Sequence, residues 1–194
     1  MEPASLSATD LACRRGERLL FRGLSFALQP GDSLQVAGPN GTGKSSLLRI
    51  LAGLLRPWAG TVERTGEVAL LDERLALDGD LPLGRALDVW RRIDGTGYDA
   101  EASAALGLDT LLDVPVRFLS TGQRKRAAIL VSNARGAGLW LLDEPLNGLD
   151  AQAGSAFQRQ VADYVSRGGI AVIASHQPFD VPGMRRLELA DYAP

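Results

Sequence analysis

Gly38-Pro39-Asn40-Gly41-Thr42-Gly43-Lys44-Ser45-Ser46 decides how the rest of the chain is read. It fits G-x-x-x-x-G-K-[ST], a loop whose backbone N–H groups wrap around phosphates. The run Ser33-Leu34-Gln35-Val36-Ala37 before it reads as a strand, and Leu47, Leu51 and Leu54 after it recur at helical spacing. In that strand–loop–helix setting all nine residues are expected to line a nucleoside triphosphate. Lys44 is expected to reach the β- and γ-phosphates, and the Ser45 hydroxyl to lie on Mg²⁺. Ser46 adds a donor at the helix N-terminus, where the dipole favours anions.

The bulk properties agree with a single domain. The chain has 194 residues, 45% apolar and 23% charged, as in an ordinary globule. Its 21 Lys and Arg against 23 Asp and Glu leave a net charge of −2, which gives no support to nucleic-acid binding. Arg14, Arg15, Arg18 and Arg22 form a local basic cluster, read as a solvated strand-and-turn face. Cys13 is the one cysteine, so no intrachain disulfide can form and a reducing compartment fits. Residues 1–20 lack the apolar core of a signal peptide. No apolar stretch approaches the roughly 20 residues that span a bilayer. Any membrane contact is therefore expected through another chain.

Outward from the loop, residues 5–30 read as strands joined by a turn at Arg15-Gly16-Glu17. Residues 61–71 hold two short strands with a turn at Gly66. Residues 80–135 read mostly as helices, broken at Asp94-Gly95-Thr96-Gly97 and at Pro115. α/β alternation then returns, with strands at Leu139–Leu142 and Ile170–Ala174 and a helix over 152–167 carrying Phe157, Val161 and Tyr164 on one face. The expected fold class is α/β over residues 1–194, interrupted by a small helical insert at about 74–136.

A second acidic element follows. Leu139-Trp140-Leu141-Leu142 delivers Asp143 and Glu144 to a strand's carboxyl end, where ligands of α/β sheets bind. Asp143 is expected to hold Mg²⁺, and Glu144 to be the general base that polarises the attacking water. His176 is the single histidine. It follows the strand Ile170–Ala174 and is read as a γ-phosphate sensor that orients Glu144 and the water.

Leu119-Ser120-Thr121-Gly122-Gln123 has a plain local reading. Ser120 is an N-cap with Gln123 at the third helical position, the capping-box pattern, followed by an apolar stripe of Ala127, Leu130, Val131 and Ala134. A helix N-terminus exposed with Ser and Gly is also a second phosphate site. One subunit needs one nucleotide, so this second site is read as serving a neighbouring subunit.

The order GPNGTGKSS, LSTGQ, LLDEPLNGLD and SHQ resembles the ATP-binding cassette (ABC) ATPases, over about residues 5–190. The resemblance implies a P-loop fold with an N-terminal antiparallel β subdomain. It also implies a head-to-tail homodimer that sandwiches two ATP molecules. Residues 38–46, Asp143, Glu144 and His176 of one copy would face Ser120, Thr121, Gly122 and Gln123 of the other, with Asp150 of the D-loop Asn147-Gly148-Leu149-Asp150 linking the two sites. ATP and Mg²⁺ are the implied cofactors.

Three departures from the family pattern stand out. Thr121 replaces the usual Gly of the signature. No aromatic residue for stacking on adenine lies in Leu11–Arg15, which leaves Arg14 or Arg15 for that role. The Gln of the loop before the helical insert is missing, and Asp72 or Glu73 stands in its place as a carboxylate able to approach Mg²⁺. Residues 11–57 and GGIAVIASHQP, with Gln177 after His176, are similar to the CcmA-type ATPases of haem exporters used in cytochrome c maturation. That similarity implies an ATPase at the cytoplasmic face of a bacterial inner membrane, partnered by a CcmB-like transmembrane subunit. The alternatives are the ATPase of another small exporter, for drugs or lipids, and a soluble non-transport ABC ATPase.

Overall fold

The computed structural model describes residues 4–72, 77–94, 100–133 and 137–194. They fall into two compact units. The first comprises Met1–Asp72, Ala137–Pro145 and Phe157–Pro194, and the second Glu73–Gly136 and Leu146–Ala156.

Two sheets build the first unit. Strands β1 (Ser5–Arg15) and β2 (Arg18–Leu28) pair antiparallel on either side of the expected turn, and β4 (Ala59–Thr65) pairs antiparallel with the other edge of β1. In β2 the residues Leu24, Phe26 and Leu28 are buried and alternate with exposed neighbours, the period of a strand with one wet face. This is the antiparallel subdomain that the family resemblance implied. β1 is interrupted at Asp10, a non-glycine residue at φ 51 where the pairing register shifts. Gly60 passes so close to the carbonyls of Thr9 and Asp10 that a Cβ there would collide with them.

The second sheet is parallel, in the order β5 (Val68–Leu71), β6 (Leu139–Asp143), β7 (Ile170–Ala174), β3 (Ser33–Ala37), β8 (Arg185–Glu188). Every residue of β3, β6 and β7 is buried, as the apolar runs Leu139–Leu142 and Ile170–Ala174 predict for strands covered on both faces; β3 is buried although it carries Ser33 and Gln35. Asp143 pairs in register with Ala174, and Val36 with the same Ala174. The carboxyl ends of the three central strands therefore stop at one edge, and whatever follows each strand emerges there. The two strands read around Gly66 are present but belong to different sheets.

Helix α1 (Lys44–Leu51) touches β1 of one sheet and β6 and β7 of the other. Leu47, Leu48, Ile50 and Leu51 are buried in a core shared with Leu11, Phe21, Leu24, Leu139, Leu141 and Val172. The expected third turn carrying Leu54 does not form. Gly53 adopts φ 77, its N–H bonds Ile50 O at 2.9 Å, and Leu54 N bonds Arg49 O at 2.8 Å. That pair is a Schellman stop, and it leaves Leu54 69% exposed.

The second unit is helical, with α2 (Leu83–Asp94), α3 (Ala100–Ala105) and α4 (Thr121–Asn133) plus short 3-10 turns at Asp109–Leu111 and Val116–Phe118. Leu83, Ala86, Leu87, Leu108, Val116, Leu119, Ala127 and Leu130 form its core. Ala134 and residues 95–97 of the expected break lie outside the described residues. The helix expected at 152–167 is α5 (Ala151–Ser166). In the first unit, Phe157 and Tyr164 pack their rings on Trp140 at centroid distances of 6.2 and 4.8 Å.

Candidate functional site

The glycine-rich loop at 38–43 leaves β3 at Ala37 and enters α1 at Lys44. Gly43 is the residue before the helix, at φ 109. A Cβ there would also press on Leu20 and Phe21 of β2 at 3.2–3.3 Å, so both the backbone and the packing require glycine. Thr42 Oγ1 donates to Pro39 O at 2.9 Å and braces the turn. Helix α1 has no side-chain cap and no acidic residue in its first turn. Its leading N–H groups and positive dipole end are therefore suited to an anion. Ser45 is exposed at the second helical position. Ser46 is half-buried, and its side chain hydrogen-bonds Cys13.

Lys44 is 6% exposed. Its Nζ donates to Gly38 O at 2.8 Å and to Pro39 O at 3.3 Å, and lies 3.4 Å from Glu144 Oε1. Glu144 follows the last residue of β6. It stands at φ 43, a left-handed conformation uncommon for a side-chain-bearing residue, while its N–H bonds Ala174 O at 2.8 Å. Its second oxygen, Oε2, is 2.8 Å from Nδ1 of His176. Lys44, Glu144 and His176 thus form one continuous line at the carboxyl edge of the parallel sheet. Glu144 Oε1 is buried beside the Lys44 ammonium, and a carboxylate oxygen has lone pairs enough to accept from a water as well. Asp143 ends β6 and is 4% exposed.

A buried polar side chain that the motif reading did not single out belongs to the same edge. Gln35 of β3 is 5% exposed, and its Nε2 donates to the carbonyl of Gln177 at 2.8 Å. Ser175 Oγ accepts the Gln177 N–H at 3.0 Å. The available signal was a long amide side chain at the centre of a short buried strand.

The second-unit residues have their own arrangement. Ser120 N donates to Gln123 Oε1 at 2.8 Å and Gln123 N to Ser120 Oγ at 3.2 Å, the expected capping box. Gly122 sits against the carbonyl of Gly148, where a Cβ would collide with it, and Gly148 adopts φ 80. Thr121 is the first residue of α4. Asp150 accepts the N–H of Ala153 at 2.8 Å through Oδ1 and caps α5.

Asp72 and Arg14 have local partners. Asp72 Oδ2 pairs with Arg49 at 3.2 Å, and Glu73 lies outside the described residues. Arg14 places its guanidinium over Trp58, 4.7 Å from the ring centroid, and also pairs with Glu17 at 2.9 Å. Burial pushes the Cys13 thiol above its ordinary range, opposed by the Ser46 hydroxyl and the Arg15 charge.

The residues at this edge fit a hard divalent cation. Ser45 and Asp143 offer only oxygen donors. Among the described residues no cluster of three or more His, Cys, Asp or Glu could hold a metal. A cation here would depend on substrate phosphates and waters for its remaining ligands, which is the usual manner of Mg²⁺.

Residues 21–147 match the family model described as ABC transporter. The cytochrome c biogenesis ATP-binding export protein CcmA of Novosphingobium aromaticivorans is 58% identical over 194 residues, covering all of both chains. Among solved structures, an ATP-binding subunit of an ABC transporter superposes with a TM-score of 0.80 at 20% identity, over 89% of this chain and 79% of the other. A dimeric ATP-binding cassette bound to ADP and phosphate superposes with a TM-score of 0.76 at 18% identity, over 89% and 88% of the two chains. With a relative this similar along its whole length and a nucleotide-type loop beside an acidic strand end, the chain belongs to the ABC transporter ATP-binding family, in its group of CcmA-type cytochrome c biogenesis export proteins.

Proposed function

We propose that this chain is the ATP-hydrolysing motor subunit of a membrane haem exporter that acts in cytochrome c maturation. The observation that carries the reading is the Lys44–Glu144–His176 line beside the phosphate loop. In a triphosphate complex Lys44 exchanges the Gly38 and Pro39 carbonyls for β- and γ-phosphate oxygens. The loop residues Gly38 to Ser46 and the N-terminus of α1 offer N–H groups to the same oxygens. Oε1 of Glu144 accepts a hydrogen bond from the attacking water and takes its proton as the oxygen bonds to the γ-phosphorus. The bond to the β-phosphate oxygen breaks, and ADP and phosphate leave. His176 holds the other carboxylate oxygen and keeps Glu144 aimed. Ser45 and Asp143 would hold Mg²⁺, with Asp72 or Glu73 as the nearest substitutes for the missing Gln. The ion supplies charge neutralisation at the phosphates.

Two copies of the chain form the working unit. Ser120, Thr121, Gly122 and Gln123 of one copy face the triphosphate on the other, and Asp150 lies at the seam. Residues 1–194 act as one ATP-binding domain, with the helical insert at about 74–136. A CcmB-like transmembrane subunit receives the motion of opening and closing at the cytoplasmic face of the bacterial inner membrane. Contact with the bilayer is through that partner. Among the described residues no helix is long and apolar enough to cross a membrane, and a net charge of −2 does not favour nucleic acid. Co-purification tests the assignment. The expected companion is a polytopic membrane protein whose presence makes ATP turnover respond to haem. Association with nucleic acid, or turnover responding to a drug or lipid instead, overturns it.

A further inference from the structure

We propose that Gln35 is a positioning residue for His176, setting the imidazole relative to the phosphate loop. The inference rests on the reading above, in which His176 aims Glu144. Gln35 lies in a strand buried at every residue, where an aliphatic side chain would fill the space with no amide to desolvate. Its amide instead reaches a carbonyl 142 residues away in sequence, that of Gln177, immediately after the histidine.

The neighbouring backbone is tied down by the same strand. Ser175 N bonds Val36 O at 3.2 Å, and Ser175 Oγ accepts the Gln177 N–H at 3.0 Å. Residues on both sides of His176 are thereby referenced to β3. The imidazole itself is 45% exposed and meets Glu144 Oε2 at 2.8 Å. An exposed ring on a short loop keeps its aim only if the backbone beneath it is fixed. β3 also delivers Lys44, since Ala37 leads directly into the loop. Gln35 therefore ties two parts of one hydrolytic site to a single strand: the loop that holds phosphate and the residue that supports the base.

The test is a double-mutant cycle on the chain in complex with its membrane partner. Gln35→Met keeps the length of the side chain and removes its N–H donor. The expected result is a fall in kcat of about tenfold with KM for ATP within about twofold of wild type. In the His176→Ala background the same substitution has no further effect, because the residue through which Gln35 acts is gone. The chain has one histidine, so NMR of the protein labelled at histidine gives one imidazole signal per copy. That signal shifts and broadens in Gln35→Met. Gln35→Leu gives the same comparison if Gln35→Met fails to fold.

Wild-type kcat in Gln35→Met, an unmoved imidazole signal, or a full tenfold loss added on top of His176→Ala would each overturn the proposal while leaving the hydrolytic reading intact. Wild-type turnover in His176→Ala itself would instead bring down the role of His176, and the proposal with it.

Discussion

Lys44 Nζ lies 3.4 Å from Oε1 of Glu144, so the cation assigned to the phosphates and the carboxylate assigned to the water form one buried pair. Neither can be changed without altering the electrostatics of the other. The two substitutions nevertheless differ in outcome, because Lys44 also has the carbonyls of Gly38 and Pro39.

Glu144→Gln keeps the shape of the side chain and removes the base. ATP binding is expected to survive while turnover falls by roughly 10²–10⁴-fold, the usual contribution of a positioned general base. With hydrolysis blocked, ATP holds two copies together. Light scattering on the variant with its membrane partner and ATP should give the mass of a closed pair of ATPase subunits, and separate monomers would contradict the sandwich.

Lys44→Ala removes the charge that meets the phosphates. Nucleotide affinity, read by calorimetry, should fall by about a hundredfold or more, since charge-assisted contacts to phosphate are among the strongest in a site. Unchanged affinity would exclude the loop as the phosphate site.

Gly122→Ala tests the junction at the start of α4. The added methyl meets the Gly148 carbonyl, which is backbone and cannot rotate away. Overpacking of this kind costs about 1–3 kcal/mol. A lowered Tm together with lost ATPase activity is expected, and a variant of wild-type stability would show that the contact is looser than described.

Tyr164 gives a pH dependence. Burial pushes its phenol from the ordinary value of 10 up to about 12, while its hydroxyl donates to Ala137 O at 2.8 Å. A raised folded-state value favours the protonated form. That contribution is intact below about pH 10 and is lost as pH rises through about 12. Tyr164→Phe should lower stability at neutral pH by about 1 kcal/mol for the lost hydrogen bond. Denaturant melts between pH 10 and 12 should decline less steeply for the variant than for wild type; parallel curves would refute the assignment.

Local signals were legible and distant ones were not. The loop at 38–46 and the capping box at Ser120 and Gln123 are written in adjacent residues, and the structure has the strand–loop–helix setting of the one and the reciprocal hydrogen bonds of the other. Glu144 and His176 were legible as a pair, because two apolar strands, β6 and β7, are each followed closely by a polar residue at the carboxyl end, and Lys44 was legible from the loop motif. Leu54 misled because its spacing matched a helix that Gly53 stops. The strands flanking Gly66 were visible, but their assignment to different sheets was not, since each is chosen by partners far away in the chain. Gln35 escaped notice because its one informative contact lies with a residue 142 positions later, and the pairing of Asp72 with Arg49 is hidden in the same way.

The left-handed backbone at Glu144 has a consequence for how this site would respond to selection. A side-chain-bearing residue at φ 43 carries a conformational penalty of about 1–2 kcal/mol that glycine escapes. A library screened only for heat resistance would therefore drift toward glycine at this codon and yield hardier, inert proteins. The glutamate persists only where catalysis is what survives the screen.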